Sequence, residues 1–541
     1  MTQNLNGPFQ MFSPIGLTLS GGGTRAAAFH LGCLSYLEHV GLLSQVKMLS
    51  TVSGGTFTGA KYVLSLVHNQ DFNAFFEEFY ILLSGTKFLR EVFENLVKNQ
   101  AAVPSGRRNA IISAAQVYAD TLLRAEDGKP VLFGSILDSD IALQEVIFNA
   151  TDFHSGIAFR FQKSVDPDAK IGNYFVWVPK EAAKMIRIAD IVAASSCIPP
   201  GFEPMVFPDD FVWPGNKVPP DALHAGGDDE PVPVPLMDGG IYDNTGIDSL
   251  MLADRRQPDD DAKLRMVIMS DVTQKTEKLH EYPEEIKVVP LSVGGINFII
   301  WGIYLLFFIS AAVLGYELFR IFRQQEFKFF WDFFLYLMPF VLVLSAVAAL
   351  WWCREKMKGI LEETIPQVGK VFWDQLKRLA LTRLVNMANR RYQSMFDLTA
   401  SIFMKRIRQL TYNAIYADEK YFKKRLPNFI YHLQTGHPFS KKLVELGVKK
   451  PSPDLQKVID TAAKMPTAMW FNNSYEAPCL VACGQATICY NLMKHVLRVH
   501  AGAVESRPEW ESLVSDWNGF CADRYVLLRK LLPDTELPEP P

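Results

Sequence analysis

Cysteine is scarce in this chain, with seven residues in 541. An odd, thinly spread set excludes the dense disulfide framework of a small secreted domain, and reduced thiols are expected. No lopsided charge is present either: 55 Lys and Arg stand against 58 Asp and Glu, for a net charge of −3. Without a chain-wide basic field, nucleic acid is excluded as an expected partner. The opening MTQNLNGPFQMFSPIG has no basic stretch followed by an apolar core, so no cleavable secretory signal is expected there. There is no internal repeat, and low complexity is confined to the proline-rich PDTELPEPP tail. What is abundant is apolar surface: 49% of residues are hydrophobic and 38 are Phe. That is enough for a large core, and the length asks for several domains or one domain with insertions.

Two runs carry no charged side chain, Val288 to Tyr316 and Phe333 to Cys353. Each is as long as the roughly 20 apolar residues that cross a bilayer, with Trp301, Tyr316, Trp331, Trp351 and Trp352 suited to the headgroup boundary. The reading is a hairpin of two transmembrane helices, spans 294–316 and 333–353, with Pro339 kinking the second. A hairpin that dips into one leaflet and a pair of buried helices are the alternatives. Basic residues on both outer flanks (Lys275, Lys278 and Lys287, then Arg354, Lys356, Lys358, Lys370, Lys377 and Arg378) place those flanks in the cytosol, although Arg320, Arg323 and Lys328 make the connecting loop basic too. The expected organisation is a catalytic domain at 1–287, the hairpin at 288–358, and a helical region at 359–541 packing on the catalytic domain. The expected location is an integral membrane protein with its catalytic body on the cytoplasmic face.

The chemistry-bearing motifs lie ahead of these runs. Ile15–Leu19 reads as a buried strand, Ser20-Gly-Gly-Gly-Thr-Arg25 as a tight turn, and AAAFHLGCLSYLEHVGLL as a helix. Consecutive glycines let successive N–H groups point into one hollow at a helix N-terminus, where an anion is stabilised. That anion is a bound phosphate or the oxyanion of acyl transfer. The Lys-Ser/Thr of a phosphate-binding P-loop and the spacing of a dinucleotide loop are both missing.

A second strand, turn and helix follows, with Val46–Ser50 leading into Thr51-Val-Ser53-Gly54-Gly55. Ser53 at the apex fits a nucleophile elbow, in which a sharp turn exposes the hydroxyl, with a helix N-cap as the alternative. The usual signature is G-x-S-x-G, and its first position here is Thr51. The histidines form no partner pattern for Ser53. The better base is Asp238 in Pro235-Leu-Met-Asp238-Gly-Gly240, a carboxylate on a glycine turn whose proton affinity rises if it is desolvated. A turn-forming aspartate is the bland reading.

Taken in order, SGGGTR at 20–25, Ser53 in TVSGG, ATDFHSG at 150–156, ASSCIPPGFEP at 194–204 and MDGGIYDN at 237–244 resemble the patatin-like phospholipase family. That resemblance spans about the first half of the chain. It implies an α/β fold with a mainly parallel sheet flanked by helices, and a Ser53–Asp238 dyad that hydrolyses lipid acyl esters. It also implies an oxyanion hole of backbone amides at Gly21, Gly22 and Gly23, with Arg25 and Gly54 as substrate-contacting positions. The turn is similar to that of cytosolic phospholipase A2, in which light Arg25 orients the loop or faces lipid phosphate. Membrane lipids as substrate and the bilayer as partner follow, and self-association stays open. No metal and no cofactor are called for, and the spacing of Cys479, Cys483 and Cys489 does not suit zinc. Acyl transfer on the same residues, or a scaffold or sensor with a degenerate hydrolase body, are the alternatives. Two further segments stand out: an aromatic-rich stretch at 71–97, either a lipid-facing cap or ordinary packing, and an irregular excursion at 205–235.

Overall fold

A strand covered on both faces needs a near-continuous apolar sequence. Ile15–Leu19 (β1), Val46–Val52 (β2), Glu145–Asp152 (β3) and Met266–Asp271 supply it, and almost every residue in them is buried. The computed structural model describes residues 9–541 except 86–87, 99–102, 125–127, 200, 227–230, 276–279, 283, 285–286, 288–292, 325–336, 350, 353–354, 356–379, 501–503 and 506. Ile157–Lys163 is β4, Met205–Phe207 β5, Val234–Asp238 β6, Met266–Asp271 β7 and Arg425–Phe429 β8. Across the sheet the order is β8-β7-β1-β2-β3-β4, continued by the short strands Ile171–Gly172, Val176–Val178 and His224–Ala225. From β8 to β3 all neighbours are parallel, and β4 runs antiparallel to β3. A second partner of β3 is β6, which in turn pairs with β5.

Side chains alternate across a strand, and that period of two divides the core. Leu49, Val146, Phe148 and Ile268 face the larger cluster. Met48, Ile147, Val267 and Met269 face a smaller one with Ile247 and Leu250 from helix α4 (Ile247–Arg256) and Ile415 from helix α6 (Met404–Ala417). Helices α1 (Gly23–His39), α2 (Gly54–Val67), α3 (Ile188–Ser196) and α7 (Glu476–Val499) bury residues in the larger cluster. Where α1 meets α7 a glycine on each helix faces the other's backbone: a Cβ on Gly32 would collide with Val481 O, and one on Gly484 with Phe29 O. The helix axes therefore approach more closely than any larger residue would allow.

The chain forms two compact units, Met1–Glu277 together with Ile402–Pro541, and Lys278–Ser401. The region after 359, expected to be helical, also holds a strand, because β8 pairs in register with β7 and extends the sheet. Pro427 hid this strand. Proline lacks a ladder donor and is tolerated at an edge, which is where β8 lies. In the 71–97 stretch, Phe75, Phe76, Phe79 and Tyr80 are core residues, so the helix Phe72–Ser84 packs inward. The 205–235 excursion supplies β5, which lines the strand leading to Asp238.

In the second unit, helix α5 (Val293–Gln324) contains a 21-residue stretch, Ile300–Arg320, of mean hydropathy 1.8 with none of it buried. Trp301 is 71% exposed and Phe308 66%. Among the described residues this is the one helix long and apolar enough to cross a membrane. The predicted second span falls partly outside the described residues, at 333–336, 350 and 353. What is described is the apolar helix Leu337–Ala349, which contains Pro339. Phe340 stacks on Phe307 of α5 with ring centroids 5.4 Å apart. Of the basic residues behind the orientation reading, Lys278, Lys328, Arg354, Lys356, Lys358, Lys370, Lys377 and Arg378 lie outside the described residues, as does Trp331.

Candidate functional site

The edge of β3 brings two turns together. β2 runs beside β3 as far as Val52, opposite Asn149. There the chain turns away at Ser53, and the next position on the same strand, Ala150, is paired by Asp238 at the end of β6. One strand thus sets the serine and the aspartate at successive places along its length, although 185 residues separate them in sequence.

Ser53 links β2 to α2 with φ 50° and ψ −120°. A left-handed φ is rarely adopted by a side-chain-bearing residue and costs on the order of 1–3 kcal/mol. The Ser53 N–H donates to Ser195 Oγ at 3.0 Å. Immediately after it, Gly54 lies against the glycine turn, and a Cβ there would collide with Gly23 O.

The glycine turn leaves β1 and opens α1. Gly22 has φ 149° and Gly23 φ 61°, conformations that favour glycine. Gly21 has no room for a side chain, since a Cβ would collide with Asn244 Oδ1 and lie 3.1 Å from Ser53 Cβ. The three glycines are not equivalent as donors. Gly21 N–H is taken by Asn244 O at 3.0 Å, and Thr24 N–H by Ala468 O at 2.9 Å. Gly22 and Gly23 make no such bond among the described residues, so the amides open to an anion at this helix N-terminus are those two. Of the three amides named for an oxyanion hole, that of Gly21 is therefore already engaged.

Asp238 is buried. Its Oδ1 accepts from Gly240 N at 2.7 Å, while Oδ2 has no hydrogen-bond partner among the described residues. Burial raises the carboxyl to about 6, against the opposing pull of the Ser53 hydroxyl and of Gly240 N–H. The hydroxyl is thus near enough to influence the carboxyl, but no formed hydrogen bond joins them. The end of α3 fixes the backbone here, with Cys197 O accepting from Asp238 N and Ser195 O from Gly239 N, both at 3.2 Å. These are carbonyls that a helix terminus leaves without intrahelical partners.

Two polar residues support the glycine turn from behind. His30 is fully buried, with Nε2 donating to Ser20 O at 3.0 Å and Nδ1 meeting Ser270 Oγ at 2.9 Å. Desolvation lowers it to about 4, so it is neutral. Arg25, named as a substrate-contacting position, is buried. Its guanidinium donates to Met465 O at 2.7 Å and Thr467 Oγ1 at 2.9 Å. Burial, then nearby Arg408, lowers it to about 10, with Asp271 opposing. Arg25 ties the start of α1 to the 465–467 segment, the loop-orienting alternative. His154 is exposed, on a turn whose Asp152 Oδ1 accepts its N–H at 2.9 Å.

Sequence reasoning did not single out Ser195, Asn149 or Asn244. Ser195 and Asn244 lie inside the motifs quoted from 194–204 and 237–244, but nothing in a serine near a helix end marks it as a partner of residue 53. Asn149 bridges strands, donating from Nδ2 to Ser50 Oγ and Thr51 O and accepting at Oδ1 from Ser249 Oγ.

The patatin-like phospholipase family model matches residues 17–251, a segment that takes in the glycine turn, Ser53 and Asp238. No curated protein matches the chain. Two solved structures of human GIVD cytosolic phospholipase A2 are similar over part of it. The complex with methyl gamma-linolenyl fluorophosphonate inhibitor and terbium chloride is 17% identical, covering 50% of this chain and 41% of that chain with a TM-score of 0.30. The other is 13% identical, covering 49% and 44% with a TM-score of 0.31. In both, less than half of the human chain is spanned.

Proposed function

We propose that this chain, a lipid acyl hydrolase by its patatin-like phospholipase domain, cleaves fatty acyl esters of membrane phospholipids with Ser53 as nucleophile and Asp238 as base. The observation that carries the reading is the arrangement on β3, where a strained serine at the turn and a buried carboxylate, one of whose oxygens has no partner among the described residues, stand at successive positions. Asp238 takes the Ser53 proton as Oγ attacks the ester carbonyl. The amides of Gly22 and Gly23 stabilise the oxyanion that forms. When the tetrahedral intermediate collapses, the leaving lysolipid oxygen takes the proton from Asp238, and an acyl-Ser53 ester remains. Water then attacks that ester with Asp238 again as base, the proton passes to Ser53 Oγ, and free fatty acid leaves. An affinity near 6 suits this role, because the carboxyl is ionised at neutral pH yet a better base than an ordinary aspartate.

The membrane belongs to the same proposal. α5 is the described span, and the Phe307–Phe340 stack supports a hairpin in which the second apolar run returns the chain to the face it left. The basic outer flanks favour a catalytic unit on the cytoplasmic face. Such tethering keeps the site beside its substrate without repeated docking.

The test is fatty-acid release from phospholipid in mixed micelles by the full chain. Ser53→Ala and Asp238→Asn should each lower turnover by about 10³-fold or more with circular dichroism unchanged. Undiminished release by either folded variant would refute the dyad.

A further inference from the structure

Thr51 is where the usual elbow signature carries glycine, and its surroundings show what the larger side chain does. Ser195 Oγ lies 2.6 Å from Asn149 O, which can only accept, so the single hydroxyl proton of Ser195 goes there. The same oxygen then accepts from its other two neighbours, Ser53 N at 3.0 Å and Thr56 Oγ1 at 2.9 Å. With its proton committed to Ser195, Thr56 accepts from Thr51 Oγ1 at 3.0 Å, the nearer of that hydroxyl's two acceptors, Ile147 O lying at 3.4 Å. The bonds therefore run one way, Thr51 to Thr56 to Ser195 to Asn149 O, and the nucleophile's amide joins at Ser195. All of these side chains are buried, so water does not compete for them. The methyl of Thr51 has a matching vacancy, because a Cβ on Gly59 of α2 would collide with Thr51 Cγ2.

We infer that Thr51, Thr56 and Ser195 form a hydroxyl chain that positions Ser53, and that the glycine absent at position 51 is compensated by the glycine at position 59. None of the three reaches the reacting atoms, so they are positioning residues. Through Ser195 O, which accepts from Gly239 N, the chain also joins the serine turn to the turn that carries Asp238. On this account Thr51 is a working part of the elbow and no sign of a degenerate hydrolase. The inference rests on Ser53 being the nucleophile.

Its test uses the full chain in detergent. The readouts are the rate at which a fluorophosphonate labels Ser53, followed by mass spectrometry, and kcat and KM on a soluble short-chain ester. Thr51→Val keeps the shape and removes the hydroxyl. It should slow labelling and lower kcat by about tenfold, the size expected for one lost hydrogen bond, with KM within about twofold. Thr51→Ser keeps the hydroxyl and should return both to within about twofold of wild type. Gly59→Ala should slow labelling and lower the thermal midpoint in the Thr51 background, and adding Thr51→Gly should recover the midpoint while labelling stays slow. Equal labelling of wild type and Thr51→Val overturns the positioning role alone. A folded wild type whose Ser53 is not labelled overturns the hydrolase reading and the positioning role with it.

Discussion

Two long apolar helices of this chain are built for different surroundings. In α7, 19 of 24 residues are buried within the protein, and in α5 the stretch Ile300–Arg320 has none buried. Their sequences differ accordingly. α7 reads PCLVACGQATICYNLM, mixing small residues with polar ones, and each kind has a use. Gly484 admits the α1 backbone, while Gln485 Nε2 donates to Ser35 Oγ and Asn491 Nδ2 to Asn428 Oδ1, both at 2.9 Å. α5 reads IWGIYLLFFISAAVLGY, dominated by large apolar side chains, none of which is buried among the described residues. A helix in a protein interior must fit close neighbours and satisfy its polar groups, whereas one facing hydrocarbon needs bulk and no charge. Two long helices that are both rich in apolar residues can thus be told apart by small and polar content.

The strongest way to break that contrast is to add bulk to the buried helix. Gly484→Val should cost on the order of 3 kcal/mol, because the new side chain meets Phe29 backbone and not a movable group. The check is the thermal midpoint in detergent, and a midpoint unchanged from wild type would mean that the α1–α7 crossing is looser than described. The smallest effect is expected from the opposite helix. Phe308→Ser should leave the same midpoint unaltered within about 0.5 kcal/mol while weakening retention in carbonate-washed membranes. A fall like that of Gly484→Val would show that protein, not lipid, covers this face.

Much of the site could be read locally. Strand, turn and helix follow one another at 15–39 and 46–67, so a run of apolar residues, a cluster of glycines and a helical period were enough to place Ser53 and the glycine turn. What could not be read depends on partners far along the chain. Arg25 looks free for lipid phosphate until the 465–467 segment folds over it, 440 residues later. Gly21 looks like a donor until Asn244 O takes its amide. β8 joins the sheet through pairing with β7, a contact its own sequence, with Pro427 at its centre, does not announce. Thr51 reads as a defect in a motif until Gly59 and Thr56 are seen beside it. In each case the local pattern fixes what a residue can do, and a distant contact decides what it does.

The central claim is that Asp238 activates Ser53, and the rate of fluorophosphonate labelling at Ser53 as a function of pH tests it most directly. Burial sets the carboxyl near 6, and only its ionised form can accept the serine proton, so labelling should be slow at low pH and rise to a plateau with a midpoint about 6. In Asp238→Asn the rate should be low and should lose that step. A step of the same midpoint and height in both proteins would show that another group activates Ser53 and would contradict the account.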